Sequence, residues 1–397
     1  MMTTLSYDLA RRIANVLERE HRHLSDEPSE GHSVHGIEKV DLTAKRMRRA
    51  KKSYNARFLN RLVRSRDYEG FHLIRGKDVE PQMGDFVLAR VVSIGQHKRL
   101  ESQNSRRRSL FAGDEIIVAY GDRYAPDQFL AEVPRNLNYT NLVAAGGVAA
   151  RVIEKHTAIN PATVIEPLGL ICDDEGVLTT HRVSPEKVRP WQEAATQMQA
   201  MDNKPQVIVV FGSSMNSGKS TTVGCLINGL SAAGFTVHSG KATGTGAGND
   251  AGLFNDAGAD RVVDFTDYGY PTTYKLDFEQ VKSIFFTMVA DLAADNPDYV
   301  IIEIADGIYQ GETNALINDA DFHGLVDSVL FACGEALSAA AGVKLLQEAN
   351  MPLVAVSGVL TRAPLIVQEA RAVIDVDIIP TYDLCLPDVV QDVVGAK

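Results

Sequence analysis

The residues best suited to chemistry form one run, Gly212-Ser-Ser-Met-Asn-Ser-Gly-Lys-Ser-Thr221. It follows an apolar stretch, Gln206–Phe211, and opens an amphipathic one, Ser220–Ala233. A strand, a tight loop and a helix in that order make a phosphate-binding loop. The backbone N–H groups from Ser214, Met215, Asn216, Ser217 and Gly218 to Ser220 can converge at a helix N-terminus, where the dipole favours anions. Gly218 lets the chain approach a phosphate without a Cβ. Lys219 is expected to bridge the β- and γ-phosphates, Ser220 to hold Mg²⁺, and Thr221 to reach the α-phosphate. Relative to GxxxxGK[ST], Ser213 stands at the first glycine position and Gly212 comes one residue earlier.

Two further runs belong with this loop. In Asp298-Tyr-Val-Ile-Ile-Glu-Ile-Ala-Asp-Gly307 an apolar strand ends in acids. A carboxylate there can organise Mg²⁺, and Glu303 and Asp306 are both candidates. Gly240-Lys-Ala-Thr-Gly-Thr-Gly-Ala-Gly-Asn-Asp250 is glycine-rich and offers Lys241, Thr243 and Thr245 as a cradle for an anion or second substrate. The acids that follow it (Asp250, Asp256, Asp260, Asp264, Asp267) read equally well as solvated loop residues.

Taken together, these runs resemble a known group. The five residues between Gly212 and Gly218 match the spacing of the GTDTxVGKT loop of dethiobiotin synthetases. Lys241-Ala-Thr-Gly-Thr245 is similar to their KPxxTG, Ile302-Glu-Ile-Ala-Asp-Gly307 to VEGAGG, and Pro352 to Arg362 to PxxGVVLNR. The same architecture serves the MinD/ParA ATPases, the cobyric-acid amidotransferases and MobB-type proteins. It is also similar to a family of uncharacterised bacterial P-loop proteins. The resemblance covers Gln206 to the C-terminus and implies a SIMIBI-class P-loop NTPase that uses ATP and Mg²⁺ and works as a homodimer. It implies that Glu303 matches the VEG glutamate and that Lys241 and Thr245 face the second substrate. Asp306 stands in place of a glycine, and Thr361 in place of the asparagine that reads adenine, without that amide's paired donor and acceptor. The signature lysine of MinD loops is absent, Ser213 or Ser214 standing there. Biotin synthesis is not expected.

The elements that must position these residues follow from pattern. After Gln206 strands alternate with helices, which predicts a doubly wound, mostly parallel α/β sheet. Between about Phe71 and Val183 short apolar runs such as Gly84–Ile94, Gly113–Tyr120 and Phe129–Val133 alternate with turn residues, predicting a small β-barrel or sandwich. Leu5, Leu9, Ile13, Val16 and Leu17 share a helical face, and His21–Gly36 reads as a linker. A second helix is expected from Asp41, with Met47, Ala50, Tyr54, Phe58 and Leu62 as its apolar stripe and many Lys and Arg elsewhere. The resulting division is 1–66, 67–200 and 201–397.

Composition narrows the function classes. The 397 residues carry 40 Lys and Arg against 51 Asp and Glu, a net charge of −11, so the whole chain is not a basic nucleic-acid binder. The basic stretch before Arg64 and the run Lys98, Arg99, Arg106, Arg107, Arg108 still make local nucleic-acid contact possible. Four scattered cysteines contain no CxxC pair, and the ten histidines form no metal set. With neither a membrane-span run nor a secretory leader, the expectation is a cytoplasmic protein without membrane contact. The reaction expected is γ-phosphoryl transfer to water or to an unidentified small acceptor. The alternative is a switch ATPase of MinD/ParA type, regulated by a partner or nucleic acid through the basic amino-terminal half.

Overall fold

The computed structural model describes residues 36–65 and 70–395. The expected first helix and its linker lie outside the described residues. The chain divides into two compact units, Met1–Val183 and Ser184–Lys397. The division between these units falls at Val183/Ser184, against the boundary expected after residue 200. Among the described residues no helix is long and apolar enough to cross a membrane.

In the first unit, five strands pair in a ring. Phe86–Ser93 lies antiparallel to both Glu115–Tyr120 and Thr163–Asp173. Glu115–Tyr120 runs parallel to Val148–Lys155, which pairs antiparallel with Thr140–Ala144, and that strand returns to Thr163–Asp173. Successive side chains of a strand point to opposite faces. Val87, Ala89 and Val91 thus enter one core with Ile116, Val118 and Ile165, while Phe86 and Leu88 enter another with Ile117 and Ile171. Both faces are buried over residues 86–89, which is why the strand opens as an apolar run.

The second face is covered by the segment expected as one long basic helix. It is instead two short helices, Ala44–Arg49 and Leu59–Ser65, separated by an extended pair, Lys51–Lys52. Thr43 caps the first helix by accepting from Arg46 N at 3.3 Å. The chain turns extended at Ala50, with ψ 135°, and Lys51–Lys52 adds in parallel to Ile116–Ile117. Strand pairing and burial of Met47, Ala50, Ala56 and Leu59 outweigh helix propensity here. Part of the basic stripe is also used internally. Arg46 forms an ion pair with Glu115 at 2.7 Å, Lys51 pairs with Asp114, and Lys52 Nζ donates to Met47 O at 2.6 Å. The polar run after Ile94, expected as loop, contains a hairpin of Arg99–Glu101 with Arg107–Ser109.

His97 in this unit has a pH consequence. Nε2 lies 2.8 Å from Val143 O and 3.2 Å from Arg123 Nη1. Burial, and then the neighbouring Arg123 charge, push its pKa down to about 4 from 6.5. The unfolded chain takes up this proton first, so stability is full above pH 6.5 and declines as pH falls towards about 4. At about 1.4 kcal/mol per pKa unit the loss reaches roughly 3 kcal/mol. Denaturant midpoints measured above and below that window should show it, and a His97→Asn variant should flatten the decline.

In the second unit, six strands are all parallel, in the spatial order Arg261–Asp264, Val237–Lys241, Tyr299–Glu303, Gln206–Gly212, Ser328–Ala332, Leu353–Ser357. Val207, Val209 and Phe211 bury against one layer of helices, including Phe278–Ala293 and Ala336–Glu348. Ile208 and Val210 bury on the other side against Lys219–Ala232 and Pro387–Val394. Each such side chain contributes about 1.5–3 kcal/mol by leaving water. This is the doubly wound α/β arrangement. The helix Trp191–Gln199 shares the first layer, with Ala194 and Met198 in its core and the Trp191 ring 5.6 Å from that of Phe286, tilted by 57°. Its packing explains the earlier boundary.

Candidate functional site

The loop leaves the strand Gln206–Gly212 and enters the helix Lys219–Ala232, as its sequence requires. Gly218 takes φ 101° at the helix N-cap, a left-handed conformation natural only to glycine. A Cβ at Gly212 would lie 2.3 Å from Ser217 Oγ and 2.6 Å from Lys219 Cγ, so that glycine makes room for the Lys219 stem. Ser214 and Asn216 are exposed, Met215, Ser220 and Thr221 are half-buried, and Ser217 is buried, with its hydroxyl lacking a hydrogen-bond partner.

Lys219 is only 3% exposed. Its Nζ donates to Ser214 O at 2.8 Å and to the carbonyl of Asp306 at 2.6 Å. Burial lowers its pKa, while the charges of Glu303 and Asp306 oppose that shift. Asp306 thus lends Lys219 its carbonyl, and its carboxylate acts through its charge. The Ala305–Asp306 peptide is cis.

Strand register brings the acid and the second lysine together. Glu303 sits opposite Lys241 on one side and Val210 on the other. Lys241 Nζ is 3.1 Å from Glu303 Oε1 and also pairs with Asp250. The Ser220 hydroxyl lies close enough to both carboxylates to favour their ionised forms. Burial pushes the Glu303 carboxyl up, with Lys241 opposing. Against its own burial, Asp250 is held below the usual carboxylate range by Lys241. Glu303 is 1% exposed, and its Oε2 has no hydrogen-bond partner. A buried carboxylate oxygen left without a partner is costly, and a cation or donor arriving there would remove that cost.

Asp250 is the residue the sequence reading undervalued. It opens the helix Asn249–Asp256, and only the folding of the glycine-rich loop carries it to Ser220 and Lys241. Thr243 is placed otherwise than expected. It is buried, donates to Ala305 O at 2.5 Å and accepts from Ala305 N at 2.9 Å, so its hydroxyl holds the turn after the acid strand. Thr245 bridges to Thr272 and is half-buried. Among the described residues no group of three His, Cys, Asp or Glu is placed to hold a metal. One hydroxyl and two carboxylates suit Mg²⁺, which keeps waters and takes phosphate oxygens for its remaining positions.

Beside the loop is a cavity of about 210 Å³, lined by Gly218, Thr221, Gly358, Thr361, Thr381 and Asp383 among others. Thr361, at the position of the resemblance's asparagine, donates to Gly358 O at 2.8 Å. A larger cavity of about 790 Å³ lies at the other ends of the strands, near Gln206, Tyr299 and Asp327, away from these groups. Gly358 closes the loop side, Val359 N donating to Ser217 O at 3.0 Å. Gly358 has φ +96°, and a Cβ there would fall 2.4 Å from Ser217 O. Gly358→Ala should cost about 1–3 kcal/mol and weaken nucleotide binding by displacing the loop. Denaturation and titration of the same variant check both effects.

The strand order and the glycine-bounded loop between strand and helix give the carboxy-terminal unit a doubly wound parallel α/β fold with a P-loop beside an acid-ended strand. No family model matches the chain, and no curated protein matches it. Among solved structures it is similar to the signal recognition particle receptor FtsY from Elizabethkingia anophelis (20% identity, 42% of this chain and 56% of that one, TM-score 0.29). It is also similar to the 54 kDa signal recognition particle protein from Aeropyrum pernix K1 in complex with GDP (15% identity, 52% and 51%, TM-score 0.32). A third similarity is to the kinase domain of the Escherichia coli tyrosine kinase ETK (13% identity, 40% and 68%, TM-score 0.29). The chain spans little more than half the length of the first two. These likenesses are distant, and the fold is read from the unit's own strand order and loop.

Proposed function

We propose that the carboxy-terminal unit binds Mg-ATP and transfers the γ-phosphoryl group to water or to a small acceptor. The observation that carries this reading is the partnerless Glu303 Oε2, buried beside Ser220, Asp250 and the P-loop lysine. Ser214 to Thr221 cradle the phosphates, and Lys219 stabilises charge developing on the γ-phosphate. Ser220 and Glu303, with Asp250, hold Mg²⁺, which when bound neutralises phosphate charge. Lys241 and Thr245 face the acceptor, and Thr243 steadies the turn that carries Asp306. The chain contains no NKxD run, which favours adenine over guanine. A homodimer in the cytoplasm completes the reading.

A second reading, a nucleic-acid-regulated ATPase, is favoured by one feature of the amino-terminal unit. Lys98, Arg99, Arg106, Arg107 and Arg108 are all exposed on and around one short hairpin. Several closely spaced cations can neutralise phosphates along a strand. Hydrolysis with Mg²⁺, measured with and without DNA or RNA, separates the readings. Turnover unaffected by polymer but raised by a small carboxylate or similar acceptor supports the first. Polymer stimulation supports the second. Absence of nucleotide binding overturns both.

A further inference from the structure

All four cysteines are free. Cys225 lies in the helix that begins at Lys219, and Cys385 ends the 3-10 helix Thr381–Cys385. The Cys385 thiol lies near enough to act electrostatically on the Cys225 thiol. Both belong to the same core layer, and Cys333 belongs to the layer on the opposite face of the sheet. Cys172 lies in the amino-terminal unit. The backbones of the two segments already touch, since a Cβ at Gly229, one turn beyond Cys225, would fall 2.1 Å from Leu384 O. Thr381, Tyr382 and Asp383, on the same 3-10 helix, form one wall of the cavity whose other wall includes Gly218 and Thr221. Cys225 and Cys385 therefore tie together the two segments that bound this cavity.

We propose that Cys225 and Cys385 are a hydroperoxide-sensitive disulfide site, and that the bond between them slows nucleotide release from the adjacent cavity. The second half rests on the nucleotide-binding reading given above; the first half does not. Cys385 is half-buried and reachable, whereas Cys225 is buried and its thiol is pushed up to about 12 by desolvation and then by the neighbouring Cys385. Cys385 is therefore the sulfur oxidised first. Its thiolate attacks the peroxide oxygen, the O–O bond breaks, an alcohol or water leaves, and Cys385 becomes a sulfenic acid. The Cys225 sulfur then attacks that sulfur and the S–O bond breaks. The departing hydroxide takes the Cys225 proton and leaves as water. Two thiols and one hydroperoxide give one disulfide, water and an alcohol, two electrons passing from sulfur to the peroxide. The close approach of the backbone at Gly229 to Leu384 O keeps the movement required for the bond small.

The test uses the full chain, reduced or treated with hydrogen peroxide. The oxidised protein should be two hydrogen atoms lighter, with one peptide linking Cys225 to Cys385 and with Cys172 and Cys333 still alkylatable. A fluorescent ATP analogue, preloaded with Mg²⁺, should leave the oxidised protein several-fold more slowly, and dithiothreitol should restore the reduced rate. Cys385→Ser and Cys225→Ser should each abolish the mass loss and the slowing. A Cys385 sulfinic acid with Cys225 still free overturns the site. A crosslink with an unchanged release rate overturns its effect on the nucleotide. If the reduced protein binds no nucleotide, the functional reading fails and the effect on release with it, while the mass and peptide readouts still decide the crosslink.

Discussion

Lys219→Ala should reduce nucleotide hydrolysis by about 10²–10³-fold, the range for loss of one preorganised donor to transition-state charge. The argument rests on where the ammonium is held. Lys219 Nζ is buried and bonded only to two backbone carbonyls, at 2.8 and 2.6 Å. Neither partner is an ion, so a phosphate can take the ammonium without breaking an ion pair. Burial lowers the lysine pKa, and an approaching phosphate would hold it charged. The removed side chain also contacts the loop itself, through the space Gly212 leaves. Single-turnover hydrolysis with Mg²⁺ and a binding titration should therefore both be affected, hydrolysis more than affinity. Circular dichroism and the unfolding midpoint serve as fold controls. Wild-type hydrolysis rates in the variant would overturn the assignment of this loop.

Glu303→Gln should cost about 10²–10³-fold in turnover while leaving nucleotide binding largely in place. The substitution keeps the shape and removes a buried negative charge whose Oε2 has no partner. It also removes one of two anions facing Lys241, Asp250 remaining. The pH profile gives a sharper readout than the rate. Burial raises the Glu303 pKa before metal binds, so activity at limiting Mg²⁺ should fall on the acid side as protons compete with the ion for this carboxyl. The glutamine variant should lack that limb. The Mg²⁺ concentration needed for half-maximal activity should also increase. Full turnover with an unaltered pH profile would transfer the role to Asp250 or Asp306.

Most of the carboxy-terminal unit was legible because its signals are local. A strand buried on both faces reads as an apolar run, an amphipathic helix shows its period, and Gly234 ends the helix Lys219–Ala232 with φ +93°. The strand expected at Phe235–Ser239 runs instead from Val237 to Lys241. That shift sets Lys241 directly opposite Glu303, a register that adjacent strands fix and local pattern does not. The amino-terminal unit was less legible. Its basic segment has helical periodicity, yet Lys51–Lys52 joins a strand more than sixty residues away in sequence.

The sequence alone determined the chemistry available: a strand-loop-helix with a lysine and a hydroxyl at fixed spacing, and an apolar strand ending in acids. Backbone geometry ties these groups to their neighbours in the chain, so their order is enough to reveal them. Only the tertiary structure decided which acid joins them. Asp250 reaches Ser220 and Lys241 through a folded glycine-rich loop. Thr243 turns away to hold Ala305, and Asp306 offers Lys219 a carbonyl. Such choices depend on long-range packing, which sets the direction of each side chain only once the sheet has assembled.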